Sequence, residues 1–309
     1  MYRSIMTPVD GSAFSEHALP LALSIARRTG AAVRIAHVHT PIIALAYPGE
    51  YLAFDAALDT QTRESERAYL DGLAQRLAAN WDVPITAALL DGLPVAGVLH
   101  DHARATGIDL IVMTTHGRTG LSRFWLGGVA DTLARQATLP ILLVRPRDDA
   151  LDLTHEQVIK HILIPLDGSR FAEQALERAV ALGVPMQAEY TLLQAIDPLI
   201  AGHTVPPYTV GLDEQLYERI RTDAQNHLER VAEHLRAQSL QVRTSLIVAQ
   251  PANAILTYAR EHGVDLIAMA THGRGGMSRL LLGSVADKVV RGACTPVLHQ
   301  RPEDATLLG

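Results

Sequence analysis

The 309-residue sequence has one cysteine, few aromatic residues and no block of basic side chains. The single cysteine, Cys294, excludes an intramolecular disulfide, fits a cytoplasmic location and, with its apolar neighbours, is expected in the core. Lys and Arg number 27 against 33 Asp and Glu, so nucleic acid is not expected as the main partner. Charged or polar residues interrupt the longest apolar runs, and the N-terminus leads straight into a strand-like segment. We therefore expect no transmembrane helix, no membrane partner and no signal peptide.

The most informative feature that is present is an internal repeat. The motif Thr-His-Gly-Arg occupies residues 115–118 and 271–274, and Pro-x-Asp-Gly-Ser occupies residues 8–12 and 165–169. The two motifs recur at offsets of 156 and 157 positions, and a repeat of this length is a whole domain rather than a solenoid unit. Hydrophobic residues make up 48% of the chain and charged residues 19%, so each copy can bury a sizeable core.

The repeat sets the predicted domain boundaries. The first domain is predicted at residues 1–146 and the second at 159–303, with a C-terminal tail at 304–309. The segment 147–158 between the domains is a short linker with several acidic residues, and it is expected to keep the domains close together.

Within each copy, strand-like apolar runs alternate with helical patterns. In the first copy, strands are predicted at Ser4–Val9, Ala32–His39, Ile85–Leu90, Leu110–Thr114 and Ile141–Val144, and helices at Ser12–Gly30, Glu64–Ala79, Pro94–Thr106 and Gly128–Gln136. The second copy repeats this order, with its long helix predicted at Glu214–Arg236. This alternation predicts an α/β fold of two tandem doubly wound domains, each a five-stranded parallel sheet with helices on both faces. The stretches 41–60 and 197–213 are predicted to be irregular, and a lid and a plain surface loop remain equal alternatives.

Glycines beside the repeated motifs have two interpretations, a phosphate-binding loop or only tight turns and close helix–sheet packing. Gly127 and Gly128 immediately precede a predicted helix, whose free N–H groups and positive dipole end would favour an anion. In doubly wound sheets, ligands bind beyond the carboxyl ends of strands, where Asp10 and Thr114 are predicted to lie. These residues converge if the first and fourth strands are neighbours, which is an assumption from the fold type. The glycine spacing matches neither a P-loop nor a Rossmann dinucleotide motif.

Several polar residues keep alternative interpretations. Asp10 and Asp167 accept hydrogen bonds from a ribose or a base, or they only hold a turn, since Asp-Gly-Ser is ordinary turn chemistry. The histidines of the two Thr-His-Gly-Arg motifs assist chemistry or shape the turn, and the turn is favoured. His37 and His39 share one strand face, but no His, Cys and Asp cluster has a recognisable metal-ligand spacing. No protein-bound metal is therefore expected.

Together these motifs resemble those of the universal stress protein family, and the resemblance covers nearly the whole chain as two tandem domains. Nucleotide-binding members carry a glycine, two residues, a glycine, nine residues and then Gly-Ser or Gly-Thr. The corresponding positions here are Thr114, Gly117 and Gly127-Gly128 in the first copy, and Ala270, Gly273 and Gly283-Ser284 in the second. Both copies lack the first glycine, and only the second copy keeps the hydroxyl residue. A lost hydrogen bond to a charged group costs about 1.5–3 kcal/mol, so the second copy is expected to be the tighter site.

The resemblance implies that each copy binds ATP in an adenine nucleotide alpha-hydrolase-like fold. The end of the first strand would contact adenine and ribose, and the glycine loop would hold the phosphates, which would carry Mg²⁺. The implied ATP-binding residues of the first copy are Pro8, Val9, Asp10, Val38, Met113, Thr114, His116, Gly117, Arg118, Gly120, Gly127, Gly128 and Val129. Those of the second copy are Pro165, Leu166, Asp167, Ala195, Met269, Ala270, His272, Gly273, Arg274, Gly276, Gly283, Ser284 and Val285.

The implied function is that of an ATP-binding regulatory protein of the stress response, which acts through nucleotide-dependent conformation or partner binding. No carboxylate base, catalytic lysine or arginine finger is evident in the sequence, so at most slow ATP hydrolysis is expected. A nucleotide-free interaction scaffold with the same fold is the main alternative, and a true enzyme of the wider fold group ranks last. The resemblance also implies that the last strands, Ile141–Val144 and Val297–His299, pair within the chain. A homodimer and an unidentified protein partner remain open.

Overall fold

The chain folds as two compact units. The computed structural model describes residues 1–41, 43–44, 53–115, 126–146, 151–198, 210–270 and 283–300. Unit 1 comprises Met1–Ala137 with Pro146–Gln157, and unit 2 comprises Thr138–Arg145 with Val158–Gly309. Each unit therefore contains most of one copy of the repeat, and unit 2 also takes in a short segment from the end of the first copy.

Strands and helices alternate along unit 1. Its elements are β1 (Ser4–Pro8), α1 (Ala13–Glu16), α2 (Leu19–Thr29), β2 (Ala32–His39), β3 (Ile43–Ala44), β4 (Ala53–Phe54), α3 (Ala56–Ala78), β5 (Ile85–Asp91), α4 (Val95–Ala105), β6 (Leu110–Thr114) and α5 (Gly128–Gln136). Strands β6, β1, β2 and β5 are neighbours in that order and run parallel, whereas the short strands β3 and β4 form an antiparallel pair. The assumed neighbourhood of the first and fourth predicted strands is thus confirmed, because β1 pairs with β6.

Unit 2 repeats the same order of elements. They are β7 (Ile141–Val144), β8 (His161–Leu166), α6 (Arg170–Gly183), a 3₁₀ turn (Val184–Met186), β9 (Glu189–Ile196), α7 (Val210–Arg236), β10 (Val242–Val248), α8 (Pro251–Glu261), β11 (Leu266–Ala270), α9 (Ser284–Gly292) and β12 (Val297–Gln300). The strand order is β10-β9-β8-β11-β12-β7. All neighbours in this series are parallel except β12 and β7.

The last strand of the first copy, β7, corrects one part of the predicted architecture. It pairs with β12 in unit 2, with Leu142 opposite Leu298 and Ile141 opposite His299, and it runs antiparallel. The α/β class and the predicted pairing of the two last strands are confirmed, but the sheet is mixed rather than wholly parallel. All four residues of β7 are buried, so an apolar strand covers the edge that β12 would otherwise leave open.

The long helices begin earlier than their apolar patterns predict. Helix α3 begins at Ala56, eight residues before its predicted start, and α7 begins four residues before its own. The Asp55 side chain accepts hydrogen bonds from the N–H groups of Ala57 and Leu58, at 3.1 and 3.0 Å, and so caps the start of α3. Part of each stretch predicted to be irregular is therefore helical. For α3 the reason is that a polar cap starts a helix without adding to its apolar period.

Two further expectations are wrong. The single helix predicted from Ser12 to Gly30 is two helices, α1 and α2, and Pro20 in the first turn of α2 is typical of a helix start. Cys294 is exposed rather than buried, because α9 ends at Gly292 and leaves the cysteine in the turn before β12.

The described part of the predicted linker lies against unit 1. The Trp81 indole N–H donates to the carbonyl oxygen of Leu153 at 2.7 Å, and the Gln157 N–H donates to Ser24 Oγ at 2.8 Å. Glu156 also forms an ion pair with Arg28 at 2.8 Å. These contacts hold the segment to unit 1 as part of its structure.

The central strands are buried along almost their whole length. All five residues of β6 and four of the five residues of β11 are buried, which is typical of parallel strands covered by helices on both faces. In the portions of the chain that the structure describes, no helix combines the length and the apolar character needed to cross a membrane.

Gly183→Ala tests the close contact between α6 and the sheet of unit 2. A Cβ atom at Gly183 would lie 2.3 Å from the Tyr190 hydroxyl oxygen and 2.7 Å from the Ile162 Cδ1 atom, and both side chains are buried. We expect this overpacking to lower the free energy of unfolding by about 1–3 kcal/mol, as measured by urea unfolding. The control is Gly72→Ala in α3, where a Cβ meets no atom within 4 Å and alanine is expected to stabilise the helix by about 0.5–1 kcal/mol. Equal effects of the two substitutions would contradict the packing argument.

Candidate functional site

A cavity of about 330 Å³ lies at the carboxyl ends of β6, β1 and β2 in unit 1. These three strands are neighbours and parallel, so their ends meet at one edge of the sheet, where ligands bind in open α/β folds. The cavity is lined by every described residue that the sequence analysis assigns to ATP binding in the first copy. They are Pro8, Val9, Asp10, Val38, Met113, Thr114, Gly127, Gly128 and Val129.

Sequence reasoning misses the other half of the lining. The additional residues are Ser15, Ala36, His37, Thr40, Glu66, Val95, Leu99, Thr115 and Ala130. Val95 and Leu99 belong to α4 and add apolar wall, whereas His37 on β2 and Glu66 on α3 add ionisable groups.

The remaining predicted residues of the first copy, and four of the second, lie outside the described parts of the chain. They are His116, Gly117, Arg118, Gly120, His272, Gly273, Arg274 and Gly276.

The described predicted residues of the second copy occupy matching places in unit 2. They lie at or next to the carboxyl ends of β8, β9 and β11, and at the start of α9. Strand β8 pairs with both β9 and β11, so these three ends meet at one edge of the sheet. The residues are Pro165, Leu166, Asp167, Ala195, Met269, Ala270, Gly283, Ser284 and Val285.

The helices that begin after Gly127 and Gly283 have no side-chain cap. Gly127 is the N-cap residue of α5 and Gly283 is that of α9, and neither position has a side-chain hydrogen bond. The Gly127 N–H donates to the Thr115 carbonyl oxygen at 2.7 Å, which fixes the start of α5 beside the end of β6. The first N–H groups of a helix have no acceptor within it, and the first turn of α5 lines the cavity. This end of the cavity therefore favours an anion.

The two Asp-Gly-Ser turns are built alike. Asp10 Oδ1 accepts hydrogen bonds from the Ser12 N–H at 2.9 Å and the Ser12 hydroxyl at 2.6 Å. Asp167 Oδ1 accepts the matching bond from the Ser169 N–H at 2.9 Å. The intervening glycine has a φ of +82° in both turns, a left-handed conformation that favours glycine. Both aspartates thus stabilise their turns, and Asp10 also lines the cavity.

A chain of ionisable side chains connects β2 with α3 and reaches the wall of the cavity. His37 Nδ1 lies 2.8 Å from the Val9 carbonyl oxygen, and His37 Nε2 lies 3.2 Å from Glu66 Oε1. The other oxygen of Glu66, Oε2, lies 2.6 Å from His39 Nδ1. His39 Nε2 in turn lies 3.0 Å from Asp59 Oδ1. We call His37, Glu66, His39 and Asp59 the His–carboxylate network.

The contacts of the network show where hydrogen bonding requires a proton. A carbonyl oxygen only accepts, so His37 Nδ1 carries the proton that it shares with Val9. The other ring nitrogen of His37 and both ring nitrogens of His39 face carboxylate oxygens. Each of these three contacts is a hydrogen bond only if a proton lies between its two atoms. For His39, both of whose ring nitrogens face carboxylate oxygens, hydrogen bonding at both contacts requires an imidazole that carries both N–H protons.

Burial and charge act in opposite directions on His39. Its side chain is fully buried, and burial alone lowers the pKa of the imidazole. The hydrogen bonds to Asp59 and Glu66 outweigh this effect and raise the pKa of His39 above 6.5. Arg63, which contacts Asp59 Oδ2 at 3.6 Å and also forms an ion pair with Asp91 on β5, opposes the rise by its charge. The net effect favours the imidazole that donates from both nitrogens.

Part of the network has a signal in the sequence. The two histidines share a strand face by their period of two, and Asp59, Arg63 and Glu66 follow one face of a helix at spacings of four and three. Within the residues that the structure describes, no group of three or more His, Cys, Asp or Glu side chains is arranged to hold a metal ion.

Unit 2 provides a residue-by-residue comparison for β2. The last paired residues of β2 and β5 are His39 and Asp91, and those of β9 and β10 are Ile196 and Val248. His39 therefore corresponds to Ile196.

The long helices can be aligned through a contact that both units share. In unit 1 the Tyr69 hydroxyl donates to Glu16 Oε1 at 2.8 Å, and in unit 2 His227 Nε2 lies 2.9 Å from Glu173 Oε1. Tyr69 therefore corresponds to His227. The same alignment gives the corresponding pairs Glu66 and Ala224, and Asp59 and Tyr217.

In unit 2, apolar or aromatic side chains occupy three of the four places of the network, and the buried Gln194 stands in the place of His37. Ile196 and Ala224 are buried, and Tyr217, Ile220 and Leu246 pack against them. One position in the fold thus holds an ionisable network in unit 1 and an apolar cluster in unit 2, so the fold does not require the network.

The fold and the cavity define a tandem α/β protein with a ligand-sized space at the carboxyl edge of its first sheet. The family model of the universal stress protein family matches residues 1–145 and 159–299. A universal stress protein of Mycolicibacterium smegmatis is 27% identical over 306 residues, covering 96% of this chain and 97% of that protein. One of Methanocaldococcus jannaschii is 32% identical over 148 residues, covering 46% of this chain and 82% of that protein. The solved structure of a universal stress protein from Archaeoglobus fulgidus has a TM-score of 0.67 at 20% identity and covers 97% of both chains, which supports the fold alone.

The chain belongs to the universal stress protein family, and the resemblance seen in its motifs is confirmed. The two matched segments contain the two copies of the repeat, so the protein is a tandem member. Family membership supports a role in the stress response.

The network predicts a pH-dependent contribution to the free energy of unfolding. Replacing its residues by those found at the same positions in unit 2 should remove this contribution. We expect the stability of the wild type, relative to that of the variant His39→Ile/Asp59→Tyr/Glu66→Ala (the apolar graft), to fall as pH rises from 6 to 9. Because the pKa of His39 is raised above 6.5 in the folded protein, its contribution is complete below pH 6.5 and is lost through the folded pKa. The loss for one proton cannot exceed about 1.4 kcal/mol per pH unit.

Urea unfolding of both proteins between pH 6 and pH 9 measures this dependence. The control is Glu64→Ala, which removes an exposed carboxylate from the same helix and should follow the wild-type curve. Parallel curves for the wild type and the apolar graft would show that the network carries no proton-linked stability.

Proposed function

We propose that the protein is an ATP-binding regulator of the stress response, in which nucleotide occupancy changes conformation or partner choice. The observation that supports this most directly is that nine residues expected to bind ATP surround one cavity of about 330 Å³. A volume of this size lies at the lower end of the range for small-molecule sites. The domains proposed for this function are residues 1–146 and 159–303, joined by 147–158 and followed by a tail at 304–309.

The residues of the cavity fit the parts of a nucleotide. Val38, Met113 and Leu99 offer apolar surface against which a base can pack. The uncapped start of α5 at Gly127 and Gly128 offers N–H groups to phosphate oxygens, which would bring Mg²⁺ with them. In unit 2 the matching start of α9 adds the hydroxyl of Ser284. The proposal is therefore one nucleotide in each unit.

We infer that turnover is slow at most. Among the described residues of the lining, the ionisable ones are Asp10, His37 and Glu66, and none of them belongs to α5 or β6, where the phosphates would lie. Asp10 is engaged in its turn, and His37 and Glu66 are engaged with each other. A regulator that works by occupancy needs no base at the phosphates, and we place it in the cytoplasm with a protein partner of unknown identity.

A nucleotide-free scaffold is the second candidate. It is favoured by the Asp-Gly-Ser turns, because the hydrogen bonds of Asp10 and Asp167 account for these residues without any ligand. Nucleotide that copurifies with the protein would separate the two candidates.

Titration of the nucleotide-stripped protein with ATP and Mg²⁺ tests the proposed function. We expect two sites, of which unit 2 is the tighter, because only unit 2 has a hydroxyl at the start of its glycine-capped helix. Ser284→Ala should weaken the tighter site by about 10- to 100-fold, and Gly283→Val/Ser284→Ala should remove it. Isothermal titration calorimetry gives the affinity and the number of sites. No heat and no thermal shift at millimolar ATP would favour the scaffold.

Gly128→Ser tests the same idea in the opposite direction. A Cβ atom at Gly128 meets no atom within 4 Å, so a serine fits at the start of α5 and supplies the hydroxyl that unit 2 already has. We expect ATP to bind unit 1 about 10- to 100-fold more tightly in this variant. The control, Gly128→Ala, adds the Cβ without the hydroxyl and should bind like the wild type. Equal affinities for the serine and alanine variants would mean that the hydroxyl does not reach the ligand.

A further inference from the structure

The cavity of unit 1 has two chemically different ends. The start of α5 is fixed beside β6, whereas Glu66 and His37 lie at β2, on the far side of β1. Neighbouring strands are about 4.8 Å apart, so β6 and β2 are separated by about 10 Å. One end therefore offers helix N–H groups, and the other offers a carboxylate.

The carboxylate of Glu66 is held in place but keeps acceptor capacity. Its Oε1 faces His37 Nε2 at 3.2 Å, and its Oε2 faces His39 Nδ1 at 2.6 Å. Each oxygen of a carboxylate has two lone pairs, and one imidazole N–H occupies only one of them. Glu66 is also part of the lining, so a ligand in the cavity can donate to it. A phosphate is disfavoured there, because it carries the same charge and is mostly ionised at neutral pH.

We propose that Glu66 determines which ligand unit 1 accepts, by accepting hydrogen bonds from the hydroxyl or amino groups of the nucleoside part of a nucleotide. His39 touches no ligand and is a positioning residue, whose second N–H holds Glu66 between the two imidazoles. This inference rests on the proposed nucleotide binding and adds to it a residue that sets both ligand orientation and specificity. Unit 2 has Ala224 and Ile196 at these places and makes no such selection.

The hold on Glu66 depends on protons, so ligand binding to unit 1 depends on pH. Among the described residues, the charged and titratable groups around His39 and Glu66 are His37 from β2 and Asp59 and Arg63 from α3. Arg63 also pairs with Asp91 on β5, and Asp10 lines the same cavity as Glu66. When His39 loses its second proton, one of its two contacts with Glu66 and Asp59 becomes a contact between lone pairs. Where the lost contact is the one with Glu66, His37 alone holds the carboxylate, and a ligand that donates to it is bound less tightly as pH rises.

The experiment compares ligands and variants at unit 1 alone. The full-length variant Gly283→Val/Ser284→Ala, with its unit 2 site disabled, serves as the parent protein for all binding measurements. ATP is compared with inosine triphosphate, which lacks the amino group of the base, and with 2′-deoxy-ATP, which lacks one ribose hydroxyl. Calorimetric titrations with Mg²⁺ are run from pH 6 to pH 9.

In the parent protein, we expect at least one analogue to bind about 10- to 100-fold more weakly than ATP. The analogue that does so identifies the amino group or the hydroxyl as the donor. Glu66→Ala should reduce this ratio to near one. ATP affinity should fall as pH rises in the parent protein and stay level in the apolar graft.

Controls keep folding apart from binding. Glu66→Gln keeps the shape of the side chain, the apolar graft uses residues that already pack in unit 2, and Glu64→Ala should behave like the parent protein. If unit 1 binds ATP but Glu66→Ala and Glu66→Gln leave both the analogue ratios and the pH profile unchanged, the inference is wrong while the proposed function stands. If the parent protein binds no nucleotide at any pH, the proposed function of unit 1 is wrong, and the inference fails with it.

Discussion

The hydrogen bonding of β1 between two parallel neighbours is the constraint on which the site depends. Because β6 and β2 both pair with β1 in the same direction, the ends of three strands meet at one edge. Residues more than a hundred positions apart in sequence, such as Asp10 and Thr114, therefore line one cavity. The start of α5 joins them because the Gly127 N–H donates to the carbonyl oxygen of Thr115, the residue directly after β6. Loss of this strand order would separate every group of the site.

The elements whose bounds are predicted correctly are those that a short stretch of sequence specifies by itself. Leu110–Thr114 and Gly128–Gln136 have the predicted bounds, because a buried apolar run and a glycine before an amphipathic stretch are both local signals. The start of α3 is missed because its cap, Asp55, lies outside the apolar period. The direction of β7 is missed because parallel and antiparallel pairing place the same demands on a four-residue apolar strand.

The His–carboxylate network is missed for a different reason. The histidines lie on one face of a strand and the acidic residues on one face of a helix, and both faces can be predicted from residue spacing. The contact between Glu66 and His39, 27 residues apart in sequence, depends on how α3 is rotated over β2. The duplicated chain shows that this rotation is compatible with either chemistry, since Ala224 and Ile196 meet at the same place in unit 2. Buried ion pairs are often no more stabilising than apolar residues of similar volume. The fold therefore tolerates both, and only the residues themselves distinguish one unit from the other.

The path of the chain through β7 has a consequence for how the two copies depend on each other. The chain leaves unit 1 after Ala137, contributes β7 to unit 2, returns to unit 1 at Pro146 and leaves it again after Gln157. Neither copy is a self-contained segment, and a protein cut between the copies would leave β12 with an uncovered edge. Tandem duplication makes the pairing of β7 with β12 intramolecular. The edge of β12 is therefore covered at any protein concentration. If the covering strand came from a separate chain, its pairing would depend on concentration.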